Sequence, residues 1–311
     1  MALLPVYLPI AETALDLGVL LGIGAGVGFL SGLFGVGGGF LITPLLIFLG
    51  VGPAVAAATG ANTVIASSAA GALAHWRRGT LDPRMGGLLL AGGLVGSLAS
   101  VKLFGLLRAI GQLDLVISLS YVVLLGGVGA AMLIEGMRTL VNTGAKRAGA
   151  PRRPLGAAGP WQVAFPRSGI ATSALAPLGL GFGVGVLTGL LGVGGGFLLV
   201  PAMIYLLAMP TATVVGTSLF QIAFVGASTT LLQAWTNQSV DVVLAVALIA
   251  GGAIAAPYGA RIGAKLGAAR LRALLALLVL GVAIVLAIGL IERPGDIYSI
   301  RFDLPAAEKS P

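Results

Sequence analysis

The chain has no cysteine and a single histidine, and charged residues make up only 9% of its 311 positions. Without cysteine there is no disulfide, no thiolate metal site and no CxxC redox motif. A soluble domain carries about 25% charged residues. The charges here are too few to cover a globule of this size, so a soluble fold does not fit. The one histidine has no intramembrane acid to complete a catalytic triad, and no HExxH or Walker A pattern occurs. No cofactor motif and no enzyme constellation is present. No Asp, Glu, Lys or Arg falls clearly at the centre of an apolar segment. Intramembrane charges usually mark proton relays and ion paths, so their absence argues against an ion-motive pump.

What is abundant is apolar surface. Hydrophobic residues make up 58% of the chain, and the mean hydropathy is +1.06. Apolar runs of about twenty residues recur along the whole length, which predicts an all-α polytopic membrane protein. The runs are continuous rather than alternating, which disfavours a β-barrel. The net charge of +8 reflects basic residues placed between apolar runs, where the positive-inside rule expects them, rather than a nucleic-acid surface. The start, MALLPVYLPIAETALDLG, lacks a basic n-region and a clear cleavage site, and is not read as a signal peptide.

Helices are expected near 16–34, 39–50, 54–75, 85–106 and 113–135, then near 174–192, 196–209, 212–234, 241–262 and 270–291. Residues 137–173 hold Arg138, Lys146, Arg147, Arg152, Arg153 and Arg167 with no acid and several prolines and glycines, which reads as a flexible basic linker. The division is a first transmembrane repeat at 1–136, a cytoplasmic linker at 137–173, a second repeat at 174–291 and a polar tail at 292–311.

The halves are related. GLFGVGGGFLITPLL at 32–46 and GLLGVGGGFLLVPAM at 189–203 share Gly35/Gly192, Gly37/Gly194, Gly38/Gly195, Gly39/Gly196, Phe40/Phe197 and Pro44/Pro201. Further on, Trp76 matches Trp235, Asp82 matches Asp241 and Lys102 matches Arg261. An odd number of crossings per half inverts the second half relative to the first, a common plan of secondary transporters. With the linker in the cytoplasm, Arg77, Arg78, Arg84, the linker residues, Arg261, Lys265, Arg270 and Arg272 lie inside. Lys102, Arg108, Arg293, Arg301 and Lys309 lie outside, together with both termini. Segments 39–50 and 196–209 are too short for a core of about 30 Å. They are either half-helices or parts of re-entrant pairs. If only one segment at each glycine cluster is re-entrant, the repeats become parallel instead.

Four glycines in a five-residue window break a helix and admit backbone angles closed to other residues. Irregular backbone survives at membrane depth only where protein or a water cavity satisfies it. The helix that restarts after each cluster presents free N–H groups and about half a positive charge. Two such ends, meeting near the midplane, suit a small anion held by neutral donors. The candidate binding residues are Gly37, Gly38, Gly39, Phe40, Gly194, Gly195, Gly196 and Phe197 of the breaks, with Asn62, Thr217, Ser218 and Gln221 of the third segments. The competing explanation is close helix packing for the glycines and bonding to the preceding turn for the hydroxyls. His75, beside Trp76, Arg77 and Arg78, reads as part of an interface belt. Lys102 and Arg261 line opposite mouths of a path or simply snorkel.

The duplicated G-x-G-G-G-F-x-x-x-P, the third-segment starts Gly60-Ala61-Asn62 and Gly216-Thr217-Ser218, and GALAHWRRGTLD at 71–82 resemble the sulfite exporter TauE/SafE family of membrane permeases over about residues 17 to 291. The resemblance implies a multi-pass plasma-membrane protein that moves sulfur-containing anions such as sulfite, sulfoacetate or thiosulfate. The second copy has QAWTNQSVD where the first has HWRRGTLD, which leaves open whether both halves contact substrate equally. The readings carried forward are a secondary transporter working by alternating access, a passive anion channel and a non-transporting accessory protein. The partners are a small anion and the bilayer. No coupling ion is specified, and a homo-oligomer is compatible with the sequence.

Overall fold

The computed structural model describes residues 5–34, 38–141, 161–263, 265–266 and 268–291. Two equivalent runs of elements fill it. The first is a hairpin, β1 (Pro5–Leu8) and β2 (Thr13–Asp16), then α1 (Leu17–Phe34), α2 (Gly39–Phe48), α3 (Pro53–Arg77), α4 (Pro83–Ala109) and α5 (Leu113–Val141). The second is β3 (Gln162–Phe165) and β4 (Ile170–Ser173), then α6 (Leu175–Leu191), α7 (Gly196–Tyr205), α8 (Thr211–Leu232), a π-helical turn at Gln233–Asn237, α9 (Val242–Gly263) and α10 (Ala268–Ile291). The helices expected from the apolar runs all form, within a few residues at most ends. The hairpins were not expected. β3–β4 lies inside the stretch read as linker, and α5 extends to Val141. Among the described residues, six helices are long and apolar enough to cross a membrane: α1, α4, α5, α8, α9 and α10. The fold is therefore an all-α polytopic membrane protein. The helices α2 and α7, of ten residues each, reach about 15 Å and stop well short of a full crossing.

The repeats interlock. α1 packs on α9, and α6 packs on α4, so the first helix of each half pairs with the fourth helix of the other. A side chain at Gly24 would lie 2.5 Å from the Leu248 carbonyl oxygen, and one at Gly28 would strike Gly252. The matching pair repeats this: side chains at Gly181 and Gly185 would strike the carbonyls of Leu89 and Gly93. Backbones this close explain many of the glycines as packing, the small-residue contact of membrane helices. In both pairs residue numbers rise together along the seam, so α1 runs parallel to α9 and α6 runs parallel to α4. α5 and α10 pack antiparallel, with Gly126 facing Ala283 and Gly129 facing Leu280.

Two buried aspartates tie the halves at their ends. Asp82 caps α4, its Oδ1 accepting from the backbone N–H groups of Arg84 and Met85 at 3.2 Å. Its Oδ2 accepts from Ser168, by backbone N–H at 3.1 Å and by hydroxyl at 2.6 Å, in the turn of β3–β4. Asp241 caps α9 through Leu244 N–H at 3.1 Å and holds the turn of β1–β2 through Ile10 N–H at 3.1 Å. The backbone N–H of Asp82 donates to Thr217, and that of Asp241 donates to Thr59, each at 3.1 Å. α4 thus begins at the β3–β4 hairpin, and at its far end Arg108 donates to the Asn237 carbonyl at 2.8 Å, four residues before the aspartate that holds β1–β2.

Candidate functional site

The two glycine clusters meet at the centre of this arrangement. In the second, α6 ends at Leu191, and Gly192, Gly194 and Gly195 take φ of 67°, 71° and 74°. These left-handed angles are open to glycine and costly for other residues. They turn the chain back so that Gly195 lies against Val184 and Thr188 of α6. In the first, Gly38 lies against Val27 and Ser31 of α1, the matching residues. Gly38 itself has φ −79° and ψ −4°, so identical sequence is held in two backbone conformations. Gly35, Val36 and the candidate Gly37 lie outside the described residues.

α2 and α7 start from these turns, and their starts face each other. The rings of Phe40 and Phe197 stack with centroids 4.8 Å apart and planes 18° apart. A Cβ at Gly39 would lie 2.7 Å from the Val193 carbonyl oxygen of the opposite cluster. Gly194 packs on Val64 of α3. The structure therefore brings Gly38, Gly39 and Phe40 together with Gly194, Gly195, Gly196 and Phe197. All are buried. The first N–H groups of each helix, those of Gly39 and Phe40 and of Gly196 and Phe197, have no carbonyl of their own helix to bond and carry the positive end of its dipole, whereas Leu41 and Leu198 donate to the cap carbonyls of Gly38 and Gly195 at 3.0 and 3.2 Å.

The polar candidates separate by what their hydrogens do. Thr217 donates to Thr213 O at 2.7 Å and accepts from Asp82 N–H. Ser218 donates to Val215 O at 2.9 Å. Asn62 directs its amide N–H groups to Ala58 O and Thr59 O at 3.4 and 3.3 Å. Each is bonded within its own helix, the competing role anticipated for such residues. Gln221 is different. It is 1% exposed, and neither its amide nitrogen nor its oxygen has a protein partner. It lies against Gly93 of α4, and its Oε1 is 4.0 Å from where a Cβ at Gly195 would sit. A buried amide with both ends unpaired costs about 1–3 kcal/mol or more, unless something outside the protein bonds it. It faces the cap of α7.

Several site neighbours escaped sequence reasoning. Thr188 sits 3.0 Å from the Cβ position of Gly195. Thr43 and Tyr121 both donate to the carbonyl of Leu191. Tyr121 carried a signal: it is the only tyrosine inside α5. A cavity of about 410 Å³ between α3 and α8 lies elsewhere. Its lining, which includes Ile65, Leu73, Trp76, Phe220 and Phe224, is apolar and does not suit an anion.

Interlocked helical halves, with two short helices starting face to face in the interior, define a polytopic membrane protein of the transporter class. The chain belongs to the sulfite exporter TauE/SafE family, which matches residues 20–286. It is 33% identical over 282 residues to a probable membrane transporter protein of Xylella fastidiosa strain 9a5c, covering 86% of this chain and 93% of the relative. It is 28% identical over 225 residues to the probable membrane transporter protein YjnA of Bacillus subtilis strain 168, covering 72% of this chain and 82% of that one. A stretch of 48 residues is 50% identical to sulfite exporter TauE/SafE family protein 1 of Arabidopsis thaliana, covering 15% of this chain and 11% of the plant protein. No solved structure matches the chain.

Proposed function

We propose that this membrane transporter moves a small sulfur-containing anion, such as sulfite or an organosulfonate, across the plasma membrane by alternating access between two inverted halves. The observation that carries the reading is the unpartnered Gln221 amide beside the glycine-capped start of α7. A helix N-terminus favours an anion, and turning the unpartnered Gln221 amide end for end brings its N–H from Gly93 toward Gly195, where it adds a directed donor. The proposed contacts are Gly37, Gly38, Gly39 and Phe40 from the first break, and Gly194, Gly195, Gly196 and Phe197 from the second. Asn62, Thr217, Ser218 and Gln221 flank them, with Gln221 supplying the unpartnered amide. Phe40 and Phe197 close the junction from opposite repeats. Inversion is supported by the course of α4. It starts at one hairpin and ends beside the residues that hold the other, while α6 runs with it and α1 runs with α9.

The test is flux into proteoliposomes of labelled sulfite, thiosulfate and sulfoacetate, with Gln221→Met as the informative variant. Methionine fills the same space without hydrogen-bonding groups. Losing a hydrogen bond to an ion is worth about 1.5–3 kcal/mol, so KM is expected to rise at least about tenfold. The ligand-free variant is expected to melt at the same temperature or higher, because an unpaired buried amide has been removed. Unchanged KM, or absence of saturable flux for every anion with the wild type, would sink the reading.

The linker is proposed to be cytoplasmic and both termini to be outside, from the basic residues Arg77, Arg78, Arg84 and Arg167 clustered toward the β3–β4 end. The natural absence of cysteine makes this direct to check. In right-side-out vesicles Ile110→Cys is expected to react with an impermeant maleimide, and Arg78→Cys only after permeabilisation. The reverse pattern would invert the assignment.

A further inference from the structure

We propose that the two glycine breaks are not equivalent: Tyr121 of α5 is a positioning residue that holds the second break as the fixed seat for the anion. The inference rests on the anion site proposed above. α6 ends at Leu191, and the last carbonyls of a helix have no N–H of their own to accept from. In an apolar interior such a carbonyl needs a donor. Leu191 O has two. The Tyr121 hydroxyl donates at 2.5 Å. The Thr43 hydroxyl approaches at 3.4 Å and is shared with Ala56 O at the same distance. Tyr121 is therefore the principal donor. It is fully buried, and both donors belong to the first repeat.

From that anchored carbonyl the chain passes directly through left-handed Gly192, Gly194 and Gly195 into the first turn of α7. Holding Leu191 O holds the origin of the turn that aims the α7 N–H groups. Among the described residues, no donor matching Tyr121 or Thr43 is seen at the first break. Its matching carbonyl is that of Phe34, and the residue that matches Thr43 is Val200, which has no donor. α10, the partner of α5, contains no serine, threonine or tyrosine anywhere in Ala268–Ile291. The free amide shows the same bias. The pairing of Thr59 with Thr217 sets Thr63 against Gln221, and Thr63 donates to Gly60 O at 2.8 Å. The pinned carbonyl, the left-handed glycines and the unpartnered amide all belong to one seat.

The experiment compares Tyr121→Phe and Thr43→Ser with the wild type. In ligand-free protein, hydrogen exchange of the amides at 194–197 is expected to speed up about tenfold or more in Tyr121→Phe, with no change at 38–41. Thr43→Ser keeps its hydroxyl and is expected to match wild type. Affinity for whichever of sulfite, thiosulfate or sulfoacetate binds, read from thermal shift, is expected to fall about tenfold with maximal flux retained. Unchanged exchange at 194–197, or equal loosening at 38–41, would overturn the positioning role, and so would full affinity in the variant. If none of the three anions binds the wild type, the transport reading fails on its own, and the exchange result still decides whether Tyr121 pins the break.

Discussion

Gly192→Ala is expected to lower the melting temperature and the recovery of folded, monodisperse protein sharply, while Gly26→Ala leaves both essentially unchanged. Both changes add one methyl group, and both glycines lie in or beside helices of the packed bundle. The difference is local. Gly192 has φ 67°, where an L-residue costs about 1–2 kcal/mol more than glycine. Its new methyl would also run into the carbonyl of Ala57 on α3, a backbone atom that cannot swing aside. Relaxation is blocked on the other side too, because Gly192 N–H bonds Thr188 O at 2.9 Å and the preceding carbonyl is held by Tyr121. Overpacking a rigid site costs about 1–3 kcal/mol, so the two effects together take a large part of a typical stability of about 5–15 kcal/mol. Gly26 sits inside α1 with nothing within 4 Å of its Cβ position. Size-exclusion profiles and melting curves in detergent separate the cases. A Gly192→Ala protein that melts within a degree or two of wild type would mean the second break is not packed against α3 as described.

The helices were legible because each is a long apolar run, and the breaks were legible because glycine at that density cannot continue a helix. Which residues the breaks would meet was half-legible. Repetition of GVGGGF implied two ends that converge, and Phe40 against Phe197 is that convergence. The different backbone at Gly38 and Gly195 could not be read from identical letters. It follows from neighbours supplied by other helices, among them Tyr121 and Thr43. Hydroxyl and amide residues in the third segments looked alike in sequence. Whether each is free depends on its rotamer and the preceding turn, which ties up Thr217 and Ser218 and leaves Gln221 unpaired. The hairpins were illegible for a tertiary reason. PVYL with TALD and QVAF with IATS are short and weakly patterned, and each turn is held by an aspartate far away in the chain. The match of Asp82 with Asp241 was visible, but what the two carboxylates bond was not.

Those aspartates give the second large effect, and its reciprocity is the test. Asp82→Ala removes an acceptor of four hydrogen bonds, two from the start of α4 and two from Ser168. Loss of a helix cap alone costs about 1 kcal/mol. Leaving buried donors unpaired adds about 1–3 kcal/mol for each that water cannot reach. A total of about 3–5 kcal/mol is expected for Asp82→Ala, the range for breaking a buried charged contact. Asp241→Ala is expected to cost somewhat less, since the Ala11 contact is long at 3.4 Å and no hydroxyl takes part. The location of the damage matters more than its size. Hydrogen exchange in Asp82→Ala should rise at 161–173, the hairpin before α6, and stay near wild type at 5–16. Asp241→Ala should do the opposite. Each carboxylate reaches from one repeat into the hairpin of the other, so the loosened segment lies in the half that was not mutated. Loosening confined to the mutated half, or spread evenly over both hairpins, would show that the interlock between repeats is not carried by these two side chains. Under the alternating access proposed above, the same pair would act as a matched latch at each end of the molecule. Substitution of one is then expected to bias the protein toward opening at that end, read as faster cysteine labelling at Ser168→Cys in Asp82→Asn and at Ala11→Cys in Asp241→Asn.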